Sequence, residues 1–273
     1  MKSVACLLTA GLVLALGPAA VITGAQNNQP PGPGWVSIFN GKDLTGWKIP
    51  EGDGGHWKVL AAGACDAAVM GTVAKGMNSG SCIDYDASSE AKDKNLWTQK
   101  SYRNFELRVD WRFKGTPYTS KNMKIVLPDG TNKKDENGRE INLVAVDSDS
   151  GIIPRGYGKA QFNLWNWPVG SGEMYGYRTA KDATPEHRRN ATPRTNADKN
   201  IGEWNTFHIT VQGSSVMLVH NGQNVIPKWT LHDLPAEGPI GLQHHGGPKG
   251  PDGNYTGIPA LVQFKNLYVK ELP

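Results

Sequence analysis

Segment 105–113 alternates apolar and charged residues at every position, and this pattern constrains the fold more than any other feature of the chain. Successive side chains of a β-strand point to opposite faces, so a period of two over nine residues predicts a strand. The charged face, which includes Asp110 and Arg112, would form a solvated ion pair or line a groove. The apolar residues that would share the buried face are Phe105, Leu107, Val109, Trp111 and Phe113.

Shorter segments with strand character follow along the chain and are separated by turn signals. Asp129-Gly130, Asn137-Gly138 and Asn221-Gly222 are typical of tight turns, and Ser214-Ser215 would turn the chain between two strands. The 33 glycines and 18 prolines are spread widely, and no amphipathic helix of ten residues is evident. These features favour a single all-β sandwich or jelly roll whose first and last strands pair. The further strand candidates are 123–127, 141–146, 207–211, 216–220, 240–243 and 261–269.

The N-terminus has the residue order of a secretory signal. Lys2 precedes an apolar run that ends at Leu16, and small residues follow. The run is too short and too interrupted for a membrane span. We therefore expect a signal peptide at 1–25, a polar linker at 26–34 and one folded domain at 35–273. The mature protein would be periplasmic or extracellular, without a membrane span.

Two cysteines, Cys65 and Cys82, would remain after removal of a signal that carries Cys6. In an exported chain they can form a disulfide between neighbouring strands, or they are two separate buried thiols. They cannot form a structural zinc site alone, because such a site needs four ligands.

The charge pattern argues against nucleic acid as a partner. The net charge is +4, and basic residues are dispersed among acidic ones. Binding of nucleic acid would need a basic face and a recognisable module, and the sequence contains neither. The sequence contains neither a Gly-rich phosphate loop nor a Cys-x-x-Cys motif. It therefore argues against a phosphate-binding or redox enzyme. The long connection 171–202 lacks a strand pattern, which is typical of a functional or disordered loop.

Several short phrases, in constant order from about residue 35 to 272, resemble the bacterial 3-keto-disaccharide hydrolase domain family. The resemblance implies a concanavalin/glucanase-like jelly-roll β-sandwich, a carbohydrate site on its concave sheet and cleavage of 3-keto-glycosides. Two positions depart from the family's usual residues, with Asp149 in place of Asn and Lys159 in place of Glu. The phrases are WVSIFNGKDLTGW (35–47), YRNFEL (102–107), SGI with Arg155 (150–155), GEWN (202–205), NG (221–222), GPIGLQ with HG (238–246) and FKNL (264–267).

The chemistry that the resemblance implies needs three kinds of group. An ordinary glycosidase uses two carboxylates that flank the scissile bond, and the sequence shows no such pair in a distinctive motif. In a 3-keto sugar the ketone acidifies the hydrogen on C2, so a base can form an enolate. The group on C1 then leaves, and water adds back. A base, a stabiliser of the enolate oxygen and an acid for the leaving group are required.

Three residues are catalytic candidates. His245 matches the family's motif position and could accept the C2 proton, unless it only hydrogen-bonds to backbone. Arg155 could hold the enolate or a hydroxyl through its planar donors, or form a surface salt bridge. Glu173 could act as the acid, or be an ordinary loop carboxylate.

A second set of residues would bind the sugar. Gln161 and Asn163 share one strand face and could bind hydroxyls, or face solvent. His244 neighbours His245 and could contact the substrate, or be a surface or core histidine. Aromatic residues that could stack on a sugar ring, with core packing as the alternative for each, are Trp165, Trp167, Tyr175 and Tyr177.

The sequence thus predicts an exported hydrolase or lyase that cleaves a small 3-keto-glycoside. No cofactor is certain, although His245 with Asp147 or Asp149 could hold a divalent cation. Two other classes stay open. The same sandwich and aromatic residues would serve a non-catalytic carbohydrate-binding module. A structural or interaction protein of the cell envelope would bind no sugar.

Overall fold

Two antiparallel sheets and a separate hairpin contain the strands of the computed structural model, which describes residues 29–71, 79–247 and 249–273. The expected signal peptide at 1–25 lies outside the described residues. The strands are β1 (Val36–Ser37), β2 (Trp47–Lys48), β3 (Trp57–Leu60), β4 (Cys82–Tyr85), β5 (Leu96–Tyr102), β6 (Phe105–Phe113), β7 (Tyr118–Lys124), β8 (Asn142–Asp147), β9 (Asp149–Ile153), β10 (Phe162–Trp165), β11 (Asn205–Gln212), β12 (Ser215–His220), β13 (Gln223–Thr230), β14 (Gly238–Leu242) and β15 (Val262–Glu271). The helices are α1 (Ala62–Ala67), α2 (Tyr175–Arg178) and α3 (Pro185–Asn190), with 3-10 turns at Pro154–Gly156 and Gly158–Ala160.

The larger sheet has eight strands, in the order β13-β12-β11-β6-β15-β4-β3, with β1 paired to β15. The smaller sheet has five, in the order β10-β9-β14-β5-β2, and β7 pairs with β8 in a separate hairpin. The pairing of β1 with β15 is antiparallel and confirms that the first and last strands share a sheet.

The apolar core lies between the two main sheets. Strand β6 occupies residues 105–113 as predicted, and its five alternating apolar side chains are buried. They belong to one continuous cluster with the inward-facing side chains of the smaller sheet. The chain therefore folds as the predicted all-β sandwich. The smaller sheet contributes Leu96, Ile152, Phe162, Leu164 and Leu242 to this cluster.

The predicted turns are observed with one shift of position. Asn221 and Gly222 form the two-residue loop between β12 and β13, with φ of 48° and 83°, as a tight hairpin requires. The loop between β11 and β12 consists of Gly213 and Ser214, because Ser215 already pairs with β11. The turn expected at Ser214-Ser215 is thus one residue too late.

Two segments differ from the expectation. The strand expected at 123–127 lies earlier, at Tyr118–Lys124, and pairs with β8. The connection 171–202 contains the short helices α2 and α3. Among the residues that the structure describes, no helix combines the length and apolar character that a membrane crossing requires.

The polar face of β6 is covered at Asp110 and Arg112, so the expected solvated ion pair of these two residues is wrong. The buried Arg112 guanidinium donates to Asp66 Oδ1 at 3.0 Å and to the Cys65 carbonyl at 2.9 Å. A disulfide joins Cys65 to Cys82 and fastens α1 over this face, which confirms the pairing. Because the covered face belongs to the larger sheet, neither residue reaches the outer face of the smaller sheet.

Removal of the disulfide should destabilise the sandwich without changing its fold. Replacing Cys65 and Cys82 together with serine should lower the free energy of unfolding by about 2–4 kcal/mol, because the cross-link restricts the unfolded chain. Urea denaturation of the oxidised protein and of the double variant measures the difference, with circular dichroism as the control for strand content. Equal stabilities would contradict the prediction.

Candidate functional site

A cavity of about 400 Å³ opens on the outer face of the smaller sheet, over β9, β10 and the end of β14. Side chains of each strand alternate, so core residues such as Leu164 direct their neighbours to the outer face. Asn163 pairs with Gly151, and Trp165 pairs with Asp149, which places these four positions side by side. The floor of the cavity is therefore the side of the sheet that does not pack into the core.

Gly151 makes room for a cluster of amides on this floor. A Cβ at this position would lie 2.5 Å from Gln161 Cδ, so only glycine lets that side chain lie across the strand. Gln161 Nε2 donates to Gln243 Oε1 at 2.8 Å and also to Asn163 Oδ1. Among the described residues, Asn163 Nδ2 and Gln243 Nε2 have no acceptor. These N–H donors remain for a ligand in the cavity.

His245 is held in one tautomer at the cavity wall. Its Nδ1 lies 2.7 Å from the Ile258 carbonyl, which can only accept, so Nδ1 carries the proton. In the neutral imidazole Nε2 then carries the lone pair, and it lies 3.7 Å from Asp149 Oδ2. The side chain is 37% exposed, so the imidazole is accessible from the cavity. This arrangement suits a base for a bound ligand.

Two carboxyl groups beside His245 hold protons more tightly than usual. Burial raises the pKa of Asp149 to about 7, with the neighbouring charge of Asp147 adding to the effect and His245 opposing it. Burial also raises the pKa of Asp147 to about 6, although Trp167 Nε1 donates to both of its oxygens at 3.2 Å. Near neutral pH, Asp149 can therefore donate a proton as an acid.

Aromatic side chains form one wall of the cavity. The rings of Trp165 and Trp167 are stacked, with centroids 4.2 Å apart and planes within 1°. Tyr175 meets Trp165 edge-on at 6.3 Å and is 46% exposed. Tyr177, expected in the same platform, instead packs against Trp229 away from the cavity. Trp165 itself is buried against Val126 and Val169, so Trp167 and Tyr175 carry the exposed aromatic surface of this wall.

Arg155 does not line the cavity. It is buried, and its guanidinium donates to the backbone carbonyls of Gly213 at 2.8 Å, Pro235 at 2.7 Å and Arg103. These carbonyls belong to three separate loops. The donors expected to hold an enolate therefore tie loops together in this structure.

Glu173 and His244 also lie outside the cavity. Glu173 is fully buried and forms an ion pair with Arg178. His244 hydrogen-bonds to the Tyr85 hydroxyl, and burial lowers its pKa to about 4. His244 and His245 instead both border a second, more open cavity. The sequence-based candidates that the structure brings together at the cavity are His245, Gln161, Asn163, Trp165, Trp167, Tyr175 and Asp149.

Gln243 is a cavity residue that the sequence analysis did not select. It lies two residues before His245 and lines the cavity with it. The period of two that separates His244 from His245 places Gln243 on the same side as His245. That signal was available in the sequence and could have identified it.

The expected cation ligands do not form a ready metal site. Across residues 29–71, 79–247 and 249–273, no group of three His, Cys, Asp or Glu side chains is arranged to hold a metal ion. Asp147 is engaged by Trp167, which leaves His245 and Asp149 as two adjacent donors.

Comparison with known proteins identifies the sequence family. Residues 34–270 match the 3-keto-alpha-glucoside-1,2-lyase-like domain, the family that the sequence phrases resemble. No curated protein with significant sequence similarity was found.

Solved structures with related architecture are distant in sequence. One is a candidate glycosyl hydrolase from Parabacteroides distasonis, 17% identical, with a TM-score of 0.47 over 88% of this chain and 94% of that chain. Another is a carbohydrate-binding module from Bacillus subtilis, 9% identical, with a TM-score of 0.38 over 83% and 96% of the two chains.

A side chain at residue 151 should disturb the cavity without unfolding the protein. Gly151→Ala displaces the Gln161 amide, so we expect affinity for a saccharide ligand to fall by about 10- to 100-fold. Titration calorimetry measures affinity, and thermal denaturation reports folding. Gly63→Ala is the matched control, because no heavy atom lies within 4 Å of its added Cβ. Equal affinities of the two variants would show that the amide cluster does not bind the ligand.

Proposed function

This chain belongs to the family of 3-keto-alpha-glucoside-1,2-lyase-like domains, which is carbohydrate-active, and we propose that it cleaves 3-keto-glycosides after removing the proton on C2. The tautomer of His245 is the observation that carries this proposal. The Ile258 carbonyl holds the Nδ1 proton, so in the neutral imidazole Nε2 is the basic nitrogen, and it lies at the cavity wall.

Side chains of this cavity can supply every proton transfer that the reaction needs. His245 Nε2 takes the proton from C2, and the electron pair of the C–H bond forms the enolate of the C3 ketone. The ketone then re-forms as a C1–C2 double bond forms and the C1–oxygen bond breaks. The leaving oxygen takes a proton from Asp149. Release at this stage is a lyase reaction. Addition of water to C1 and return of the proton to C2 completes a hydrolysis.

Amide donors take the part that the sequence analysis gave to Arg155. Asn163 Nδ2 and Gln243 Nε2 are available to donate to the ketone oxygen as it gains charge. Their orientation is fixed before the ligand binds, because Gln161 donates to the oxygen of each amide. Asp149 likewise replaces Glu173 as the proposed acid.

We also propose that the protein acts outside the cytoplasm. Its N-terminal residues have the order of a secretory signal, and the disulfide between Cys65 and Cys82 suits an oxidising compartment.

A non-catalytic carbohydrate-binding module is the second candidate function. The stacked pair of Trp165 and Trp167 beside the amide cluster favours it, since stacking and amide hydrogen bonds can hold a sugar without any chemistry. Binding of unoxidised glycan without release of product from a 3-keto-glycoside would support this alternative.

Two substrates with different leaving groups distinguish the role of His245 as base from the role of Asp149 as acid. His245→Ala should slow cleavage of both a 3-keto-disaccharide and 4-nitrophenyl 3-keto-glucoside by about 10²–10⁴-fold, because each needs the C2 proton removed. Asp149→Asn should slow the disaccharide by about 10²-fold and spare the nitrophenyl glycoside, whose leaving group needs no acid. Chromatography of released sugar, and absorbance for nitrophenolate, measure both rates.

The matched control is His208→Ala, which removes a half-exposed histidine from the larger sheet. If His245→Ala cleaves either substrate as fast as this control, His245 is not the base. Equal losses on both substrates for Asp149→Asn would refute its role as an acid.

The pH profile should report the proton on Asp149. Because burial raises the pKa of this carboxyl to about 7, its acid form is lost as pH rises through that value. We expect kcat/KM for the 3-keto-disaccharide to fall above about pH 7. The alkaline fall should be absent from Asp149→Asn. An unchanged fall in that variant would assign it to another group.

A further inference from the structure

A second groove lies on the outer face of the smaller sheet, beside the candidate cavity. It encloses about 610 Å³ and runs along the edge formed by β2 and β5. Trp97, Lys48, Ile49 and Asn95 border it. The chemistry proposed above uses none of these residues. We name it the Trp97 groove.

The indole of Trp97 lies flat against the sheet. Trp97 pairs with Gly241 of β14, and a Cβ at that glycine would collide with the six-membered ring of the indole. Trp97 Nε1 donates to Asp93 Oδ2 at 3.0 Å, which fixes the ring in its plane. A half-buried indole fixed in this way is a rigid apolar surface, of the kind on which a sugar ring stacks at little entropic cost.

The Trp97 groove and the cavity lie on opposite sides of β14 on the same outer face of the sheet. Leu242 packs into the core, so Gly241 and Gln243 on either side of it face outward. From strand spacing and residue rise, the Cα atoms of Trp97 and Gln243 are about 8 Å apart. The His244 backbone N–H donates to Asn95 Oδ1 at 2.9 Å, which links the segment carrying His245 to the groove.

The charges around the groove are balanced. Lys48 and Lys92 face the same space as Glu51 and Asp93, so the formal charge is zero. The side chain of Ile49 is 51% exposed and adds apolar surface. Balanced charge beside an aromatic surface suits a neutral, hydroxyl-rich ring better than a uronate or a phosphate.

We propose that the Trp97 groove is a second carbohydrate subsite, which binds a third, neutral sugar ring of a glycan whose reacting ring and leaving ring occupy the cavity. Two aromatic surfaces, Trp165 with Trp167 at one end and Trp97 at the other, then bracket the amide cluster and His245. The reaction itself rests on the proposed function, whereas the binding of a neutral ring to Trp97 does not. The protein should accordingly favour substrates longer than a disaccharide.

Chain length and Trp97 are varied together to test the subsite. In the unmodified protein, kcat/KM for a neutral 3-keto-trisaccharide should exceed kcat/KM for the 3-keto-disaccharide. Trp97→Ala should lower kcat/KM for the trisaccharide by about five- to tenfold. The same variant should leave the disaccharide unaffected. Trp35→Ala is the matched control, because Trp35 contacts His208 on the larger sheet. Thermal denaturation confirms that each variant is folded.

Two results would overturn the subsite. The first is that Trp97→Ala and Trp35→Ala have the same kcat/KM with every substrate. The second is that kcat/KM is higher for a uronate-containing trisaccharide than for the neutral one. If the unmodified protein cleaves no 3-keto-glycoside, titration with unoxidised neutral gluco-oligosaccharides replaces kinetics. Binding lost only in Trp97→Ala then supports the subsite while the proposed reaction fails. Equal binding by Trp97→Ala and Trp35→Ala overturns the subsite.

Discussion

Each residue of the smaller sheet that packs into the core directs its neighbours onto the outer face, and the cavity is a consequence of this alternation. Leu164 and Leu242 pack against the larger sheet, so Asn163, Trp165 and Gln243 must point outward. A shift of one residue in register would reverse every side chain. The same burial that stabilises the sandwich therefore also fixes which polar groups meet at the site.

The reactivity of the site arises from what surrounds it. The Ile258 carbonyl fixes the proton of His245 on Nδ1, and burial keeps the proton of Asp149 to about neutral pH. Neither effect belongs to the residue alone, because an exposed carboxyl is ionised and an unrestrained imidazole exchanges tautomers. Gly151 contributes by the absence of a side chain, which leaves space for the Gln161 amide.

The two sheets use polar residues on their outer faces differently. On the larger sheet Arg112 is covered by α1, which the disulfide of Cys65 holds in place, and its donors are satisfied by Asp66 and backbone. The guanidinium donors of Arg155 are likewise satisfied by carbonyls of separate loops. Fully satisfied buried cations of this kind maintain a structure. The cavity instead leaves amide donors and an imidazole nitrogen for a ligand.

The sequence by itself determined the all-β sandwich, because strand periodicity and turn dipeptides are local signals, and its short phrases carried the resemblance to the family. It also selected His245 and the amides Gln161 and Asn163, whose strand faces follow from a period of two. Only the tertiary structure decided that Arg155 and Glu173 lie elsewhere, since burial and partners depend on distant segments. It likewise placed Trp97 beside Gln243, because strands remote in sequence become neighbours only when the sheet forms.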